Sequence, residues 1–278
     1  MKIILYTIFL TLLLASCQKT GGQTAITAAP VKSITPQDFA ALDKKLTAEF
    51  DSIYYWYDRR YVNDSLDDLA YSRFEAANEI FLNHLQQVLN QPDAIDYKFK
   101  LLDEKVTITA SDDKKLRAFS WDTYMGGTMK DLRTVFQYKT PDGAATKIFM
   151  FTENNRDEEP EMMHCMEIFS LETKNGTVYM PHTFMTESSK YYMETVKFLR
   201  IEGAALNPVA LIKTDEGLTD EYGLEYIAYH GEEGKPEKVI DYDPKKRILS
   251  LVQTDDELNV LNTFDRYAFN GTYFEKIR

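Results

Sequence analysis

Apolar residues recur every three or four positions from Phe39 through Leu42, Leu46, Phe50 and Ile53 to Tyr57, which makes one face of a helix apolar and leaves the rest polar. Ahead of this stripe, Thr35-Pro36-Gln37-Asp38 combines a cap residue, a proline at the first helical position and an early acid, all of them helix-start signals. The polar stretch 58–64 breaks the pattern. A second stripe then runs through Leu66, Ala70, Phe74, Ala77, Phe81, Leu85 and Val88, with Ser65 and Asp68 offering a cap and Pro92 ending it. Two helices of this length joined by a short turn are expected to pack antiparallel, as a hairpin over 34–92 that turns both stripes toward a shared partner.

Beyond Ala94 the period of the pattern falls from near 3.6 to 2. Pro141-Asp142-Gly143, Asn175-Gly176 and Asn270-Gly271 are strong turn signals between runs rich in Tyr, Phe, Val, Ile and Thr. Weaker signals lie at 111–114, Gly126-Gly127, 215–217, 231–234 and Asp243-Pro244. The expected fold is therefore α+β and mainly β: the helical hairpin, then an antiparallel β meander over 93–278 of roughly ten to thirteen strands, as a sandwich, barrel or propeller-like body. Residues 113–121 and 243–251 share Asp, Lys, Arg and Ser at the same offsets. This echo reads either as two equivalent hairpins or as two turns converging on similar residues.

The first residues carry an address. Met1-Lys2, the largely apolar run from Ile3 to Leu14, and the small residues Ala15-Ser16 read as a signal peptide over 1–16. Leu14-Ala15-Ser16-Cys17 resembles the lipobox of bacterial lipoproteins. That resemblance implies that Cys17 is lipidated, that cleavage makes it the amino terminus, and that its acyl chains hold the protein to a membrane. Gln18 after the cysteine resembles the outer-membrane sorting pattern, which implies a cell-envelope protein on either the periplasmic or the surface face. Residues 17–33, rich in Gly, Ala, Thr and Gln, are expected to be a flexible tether.

Composition narrows the classes further. With 44% hydrophobic and 13% aromatic residues, the chain of 278 can bury a core and is not a disordered protein. Its formal charge of -12 argues against a nucleic-acid partner, whose phosphates demand Lys and Arg. Of two cysteines, lipidation of Cys17 leaves Cys165 alone, so no internal disulfide is expected and Cys165 reads as a small buried hydrophobe.

The best acid/base candidates are Glu167 and His182. If Asn175-Gly176 is the turn, Lys174 pairs with Thr177, Glu167 lies opposite Phe184 and His182 opposite Phe169, so Glu167 and His182 are diagonal neighbours on one face. Met163, Cys165, Phe169 and Leu171 would share that face, with His164 facing Glu187 across the other, and Pro181 would favour a strand at a sheet edge. No other catalytic signature appears. There is no Gly-x-Ser-x-Gly elbow, no His-x-x-x-His or cysteine pair for a metal, and no P-loop lysine after Gly126-Gly127-Thr128, so no cofactor or metal is expected. The acids Glu153, Asp157, Glu158, Glu159 and Glu161 lack the ligand order of a calcium loop, and His84 reads as a boundary residue.

Aromatic surplus points to binding. Tyr54-Tyr55-Trp56-Tyr57 with Arg59, Arg60 and Tyr61 exceeds what one helix face can bury, and exposed Tyr and Trp beside Arg are the residue types of binding hot spots. The leading expectation is a non-catalytic envelope lipoprotein that binds a protein or a glycan. The alternative is a periplasmic hydrolase using Glu167 with His182, or carboxylates from distant loops. The two separate on whether a concave pocket holds at least two titratable groups within about 3 Å of a common point.

Overall fold

A computed structural model describes residues 36–62, 65–150, 160–229 and 235–277, all within the unit Ile34–Arg278. Cys17, Thr35, Asp64, Glu153, Asp157, Glu158, Glu159 and His230 lie outside the described residues. The chain folds as a helical hairpin followed by antiparallel strands, a mainly β α+β protein. Helix α1 (Pro36–Arg59) is followed by the two-stranded ribbon β1 (Tyr61–Val62) and β2 (Ser65–Leu66), then by α2 (Asp68–Leu89). Asp67, not Ser65, caps α2: its Oδ1 accepts the Ala70 amide at 2.9 Å, while Ser65 is taken up by the ribbon. Both stripes bury, with Leu46, Ile53, Phe74, Phe81 and Leu85 at the centre, except that Leu66 belongs to β2 instead of α2 and is exposed, because the ribbon precedes the helix.

Two short 3-10 turns, Pro92–Asp96 and Leu102–Glu104, connect the helices to the strands. A four-stranded sheet follows in chain order: β3 (Thr107–Ala110), β4 (Leu116–Asp122), β5 (Leu132–Thr140) and β6 (Gly143–Lys147). Then come β7 (His164–Thr173), β8 (Gly176–Thr186), β9 (Tyr191–Lys197), β10 (Leu199–Glu202) and β11 (Ala205–Pro208). The chain continues through β12 (Ile212–Thr214), β13 (Gly217–Thr219) and β14 (Glu221–Ile227). It ends with β15 (Ile240–Asp243), β16 (Ile248–Thr254), β17 (Val260–Phe269) and β18 (Phe274–Ile277). Strands β7 to β11 and β14 form a second sheet, and β12, β13 and β15 to β18 a third, which contains one parallel pair, β12 with β18. The strands outnumber the expected ten to thirteen because several hairpins are only three or four residues long.

The core clusters define a stack of layers. Helix residues pack on Phe119, Trp121 and Val135 of the four-stranded sheet. The other face of that sheet, through Leu116, Ala118 and Phe136, packs on Cys165, Ile168 and Tyr179 of the second. The far side of the second sheet, through Val178, Met180 and Val196, packs on Ile240, Leu249 and Phe274 of the third. This layering replaces the propeller option. It also explains why residues 116–121 are buried without alternation: a sheet covered on both faces hides every side chain.

Polar side chains stitch the layers. Asp43, buried on α1, accepts the amides of Leu101 and Leu102 at 3.1 and 3.0 Å and so caps the second 3-10 turn. Arg117 reaches from β4 to the carbonyls of Ala94 and Tyr97 and to Gln137, whose Nε2 donates to Leu89 at the end of α2. Between the first two sheets, Ser120 and Thr134 bond each other at 2.8 Å, and Ser120 Oγ accepts the Cys165 amide. Gly143 is required at its turn: φ is +132° and a Cβ would meet Pro92 at 2.7 Å.

The echo at 113–121 and 243–251 belongs to two different turns. Asp113 lies inside the β3–β4 loop, whereas Asp243 is a paired residue of β15, and the left-handed residues Lys114 and Arg247 fall at different offsets. In both, the aspartate Oδ1 accepts amides just beyond it, Lys115 in one and Lys245 and Lys246 in the other. The likeness is convergence on the same turn chemistry.

Candidate functional site

The β7–β8 hairpin turns on Lys174-Asn175, with Thr173 paired to Gly176, so the register differs from the one expected. Gly176 has φ +99° while Asn175 does not take a positive φ, so the two residues are not the centre of a type I′ turn and the glycine sits just past the bend. The change in pairing moves partners by two residues, which preserves the face. Glu167 therefore lies directly opposite His182 instead of diagonal to it. A bulge between Cys165 and Glu167 then reverses the alternation, sending Cys165 into the core between the first two sheets. Cys165 accordingly shares no face with Glu167, and burial pushes its thiol well above the usual range. His164 pairs with Phe184, not with Glu187. Pro181 is also not on an edge: β8 is flanked by β7 on one side and by β9 and β10 on the other, and Pro181 sits where the partner changes from β10 to β9.

On the face of the second sheet that looks toward the third, Glu167, His182, Glu194 and Tyr226 come from β7, β8, β9 and β14, four adjacent strands. They line one wall of an open cavity of about 810 Å³, together with Phe184 and Tyr192. The opposite wall is the segment leading into β15, including Lys235, Pro236 and Lys238. His182, 3% exposed, donates or accepts on both ring nitrogens: Nδ1 lies 3.3 Å from Glu167 Oε1 and Nε2 lies 2.6 Å from Glu194 Oε2. Tyr226 donates to the other Glu194 oxygen at 2.6 Å, and Lys238 reaches Glu167 at 3.1 Å. Phe169 stacks on the imidazole with ring centres 6.3 Å apart.

Burial alone would depress the basicity of His182, but hydrogen bonds and charge from Glu167 and Glu194 outweigh it and raise the pKa above the ordinary 6.5. The hydrogen bond from His182, helped by Lys238, holds Glu167 below the ordinary 4.5. Burial, then the Glu194 charge, pushes the Tyr226 hydroxyl up. The result is an imidazole of raised basicity held between two carboxylates, with both ring nitrogens engaged. Among the described residues, no group of three or more His, Cys, Asp and Glu is placed to hold a metal ion.

Compared with known protein families, curated proteins and solved structures, the chain matches none.

The second set of candidates, on α1, divides. Tyr54 and Tyr55 are 55% and 48% exposed, and the Arg59 guanidinium lies 3.8 Å over the Tyr55 ring. With Tyr124, these residues line a depression of about 470 Å³. Trp56 instead packs on the helical core with Arg73 above it at 4.7 Å, and Arg60 stacks on Tyr57 at 3.5 Å. His84 bonds Glu49 at 2.7 Å between the helices, and Glu161 pairs with Lys197 at 2.9 Å. Glu194, Tyr226 and Lys238 are the site residues that sequence reasoning missed. Alternation places Tyr192, Glu194 and Val196 on one face of β9, but nothing local says that this face meets His182.

Proposed function

We propose that this chain is a lipid-anchored protein of the bacterial cell envelope that binds a neutral carbohydrate in the His182 cavity and does not cleave it. The envelope half of the reading rests on the leader and on Leu14-Ala15-Ser16-Cys17, with Gln18 favouring the outer membrane. Among the described residues no helix is long and apolar enough to cross a membrane; in this reading the acyl chains on Cys17 carry the anchoring. Replacing Cys17 with serine should move the protein from the membrane to the soluble envelope fraction, whereas retention in the membrane would contradict the anchor.

For the binding half, the carrying observation is the occupied imidazole: both nitrogens of His182 are held by carboxylates, which makes the cluster a fixed polar floor. Around it stand tyrosine and phenylalanine rings that suit the faces of sugars, and carboxylate and ammonium groups that suit their hydroxyls. Calorimetry of the lipid-free mature protein against neutral disaccharides should give saturable binding. Tyr229→Ala, which removes a half-buried ring from the cavity wall, should weaken it by about tenfold. An unchanged affinity would place the ligand elsewhere.

One observation favours hydrolysis as a second reading: Glu167, His182, Glu194 and Tyr226 are four titratable groups in one open cavity. Under that reading Glu167 or Glu194 performs the acid/base work and His182 positions it.

A further inference from the structure

Three depressions in the protein share walls. The His182 cavity has Met166 and Phe184 in common with a second depression of about 460 Å³, which also involves His164, Lys130 and Trp121. That second depression shares Phe50, Lys105 and Tyr124 with the one beside Tyr54, Tyr55 and Arg59. Met166 owes its position to the β7 bulge: the extra residue that turns Cys165 inward leaves the Met166 side chain at the surface, 39% exposed, where the first two depressions meet.

We propose that these depressions form one groove for an extended neutral oligosaccharide, with the His182 cavity at one end and Tyr54, Tyr55 and Tyr124 as a distal stacking site. The proposal rests on the carbohydrate reading above and adds the length of the ligand to it. Charge supports a neutral chain. The protein carries a formal -12, yet along the groove Arg59, Lys105 and Lys130 offset all but one of the acids Asp51, Asp58, Glu104 and Asp122. In the His182 cavity, Lys235, Lys238 and the raised basicity of His182 likewise offset Glu167, Glu194 and Glu237. A polyanion or polycation would find no matching field here, whereas hydroxyls can bond both signs. In the middle stretch, burial and nearby Lys130 lower the basicity of His164, leaving a neutral ring that can both donate and accept. At the distal end, Tyr54 packs edge-on against Tyr124 with centres 5.8 Å apart, and the Arg59 guanidinium lies over Tyr55, so this aromatic patch is held in place without a ligand.

The test is calorimetric titration of the lipid-free mature protein with neutral gluco-oligosaccharides from one to about eight units. Affinity is expected to climb with length beyond the di- and trisaccharides, and Tyr55→Ala is expected to lower affinity by about tenfold, with the loss confined to the long members. If short sugars bind and longer ones bind no more tightly, the groove is overturned while the cavity reading stands. If no member binds, the carbohydrate reading falls and the groove with it.

Discussion

Replacing Arg117 with methionine should lower the free energy of unfolding by about 3–5 kcal/mol. Arg117 lies on β4 with its guanidinium buried, and burial, only partly offset by Asp96, holds its pKa down to about 10. The fork donates to the Ala94 and Tyr97 carbonyls and, at 2.5 Å, to Gln137 Oε1. It also lies 5.3 and 5.0 Å from the rings of Phe99 and Phe119. Methionine matches much of the stem but satisfies none of the three acceptors, and each unpaired buried acceptor costs about 1–3 kcal/mol. Since Gln137 bonds the last turn of α2, the same change loosens the helical hairpin from its sheet. Urea unfolding followed by circular dichroism reads the effect. A loss below about 1 kcal/mol would mean that water or a repacked turn replaces the guanidinium.

Stability should also depend on pH through His182 in a way that a His182→Gln variant removes. In the folded chain His182 binds its proton more tightly than the ordinary 6.5. The stabilisation is therefore complete below that value and falls away as pH rises through the raised pKa. Glu167 is shifted the other way, below the ordinary 4.5, so its contribution is present above that value and disappears as pH falls through the lowered pKa. Together they define a window of greatest stability between the ordinary values of the two groups, 4.5 and 6.5. Denaturant midpoints measured at intervals across that range and above it should decline on the alkaline side in the native protein. In His182→Gln the midpoint should be lower throughout and the alkaline decline shallower. Parallel curves for the two proteins would mean that the imidazole is neutral in the folded state.

The elements that were legible in the sequence are those whose signal is local. The stripes of α1 and α2 predict which residues face the core, because period and burial coincide in a helix covered on one side. The strong turn signals each fall at a hairpin, between β5 and β6, β7 and β8, and β17 and β18. What stayed hidden depends on residues far apart in the chain. Asp67 rather than Ser65 caps α2 because the ribbon claims Ser65, and no propensity distinguishes two cap-competent residues two positions apart. The β7 bulge leaves no mark in the pattern, since Cys165 and Glu167 alternate as they would in a regular strand. Arg117, Ser120, Thr134 and Gln137 are polar, yet all are buried, because β4 and β5 lie in a middle layer. The candidate site was half legible for the same reason: Glu167 and His182 share a hairpin, whereas Glu194 and Tyr226 join them only through strand order in the second sheet. On α1, the sequence pattern called for surplus rings outside the core, and Tyr54 and Tyr55 are those rings, while Trp56 and Arg60 turn to structural packing.

The measurement that tests the account most directly is chromatography of a neutral oligosaccharide recovered after long incubation with the lipid-free mature protein at pH 7, alongside the Glu194→Gln variant. Binding at a fixed carboxylate–imidazole–carboxylate floor predicts that the sugar returns intact from both proteins, with saturable binding to the native one. Shorter products released by the native protein and absent with Glu194→Gln would contradict it, and would make the cavity a hydrolytic centre.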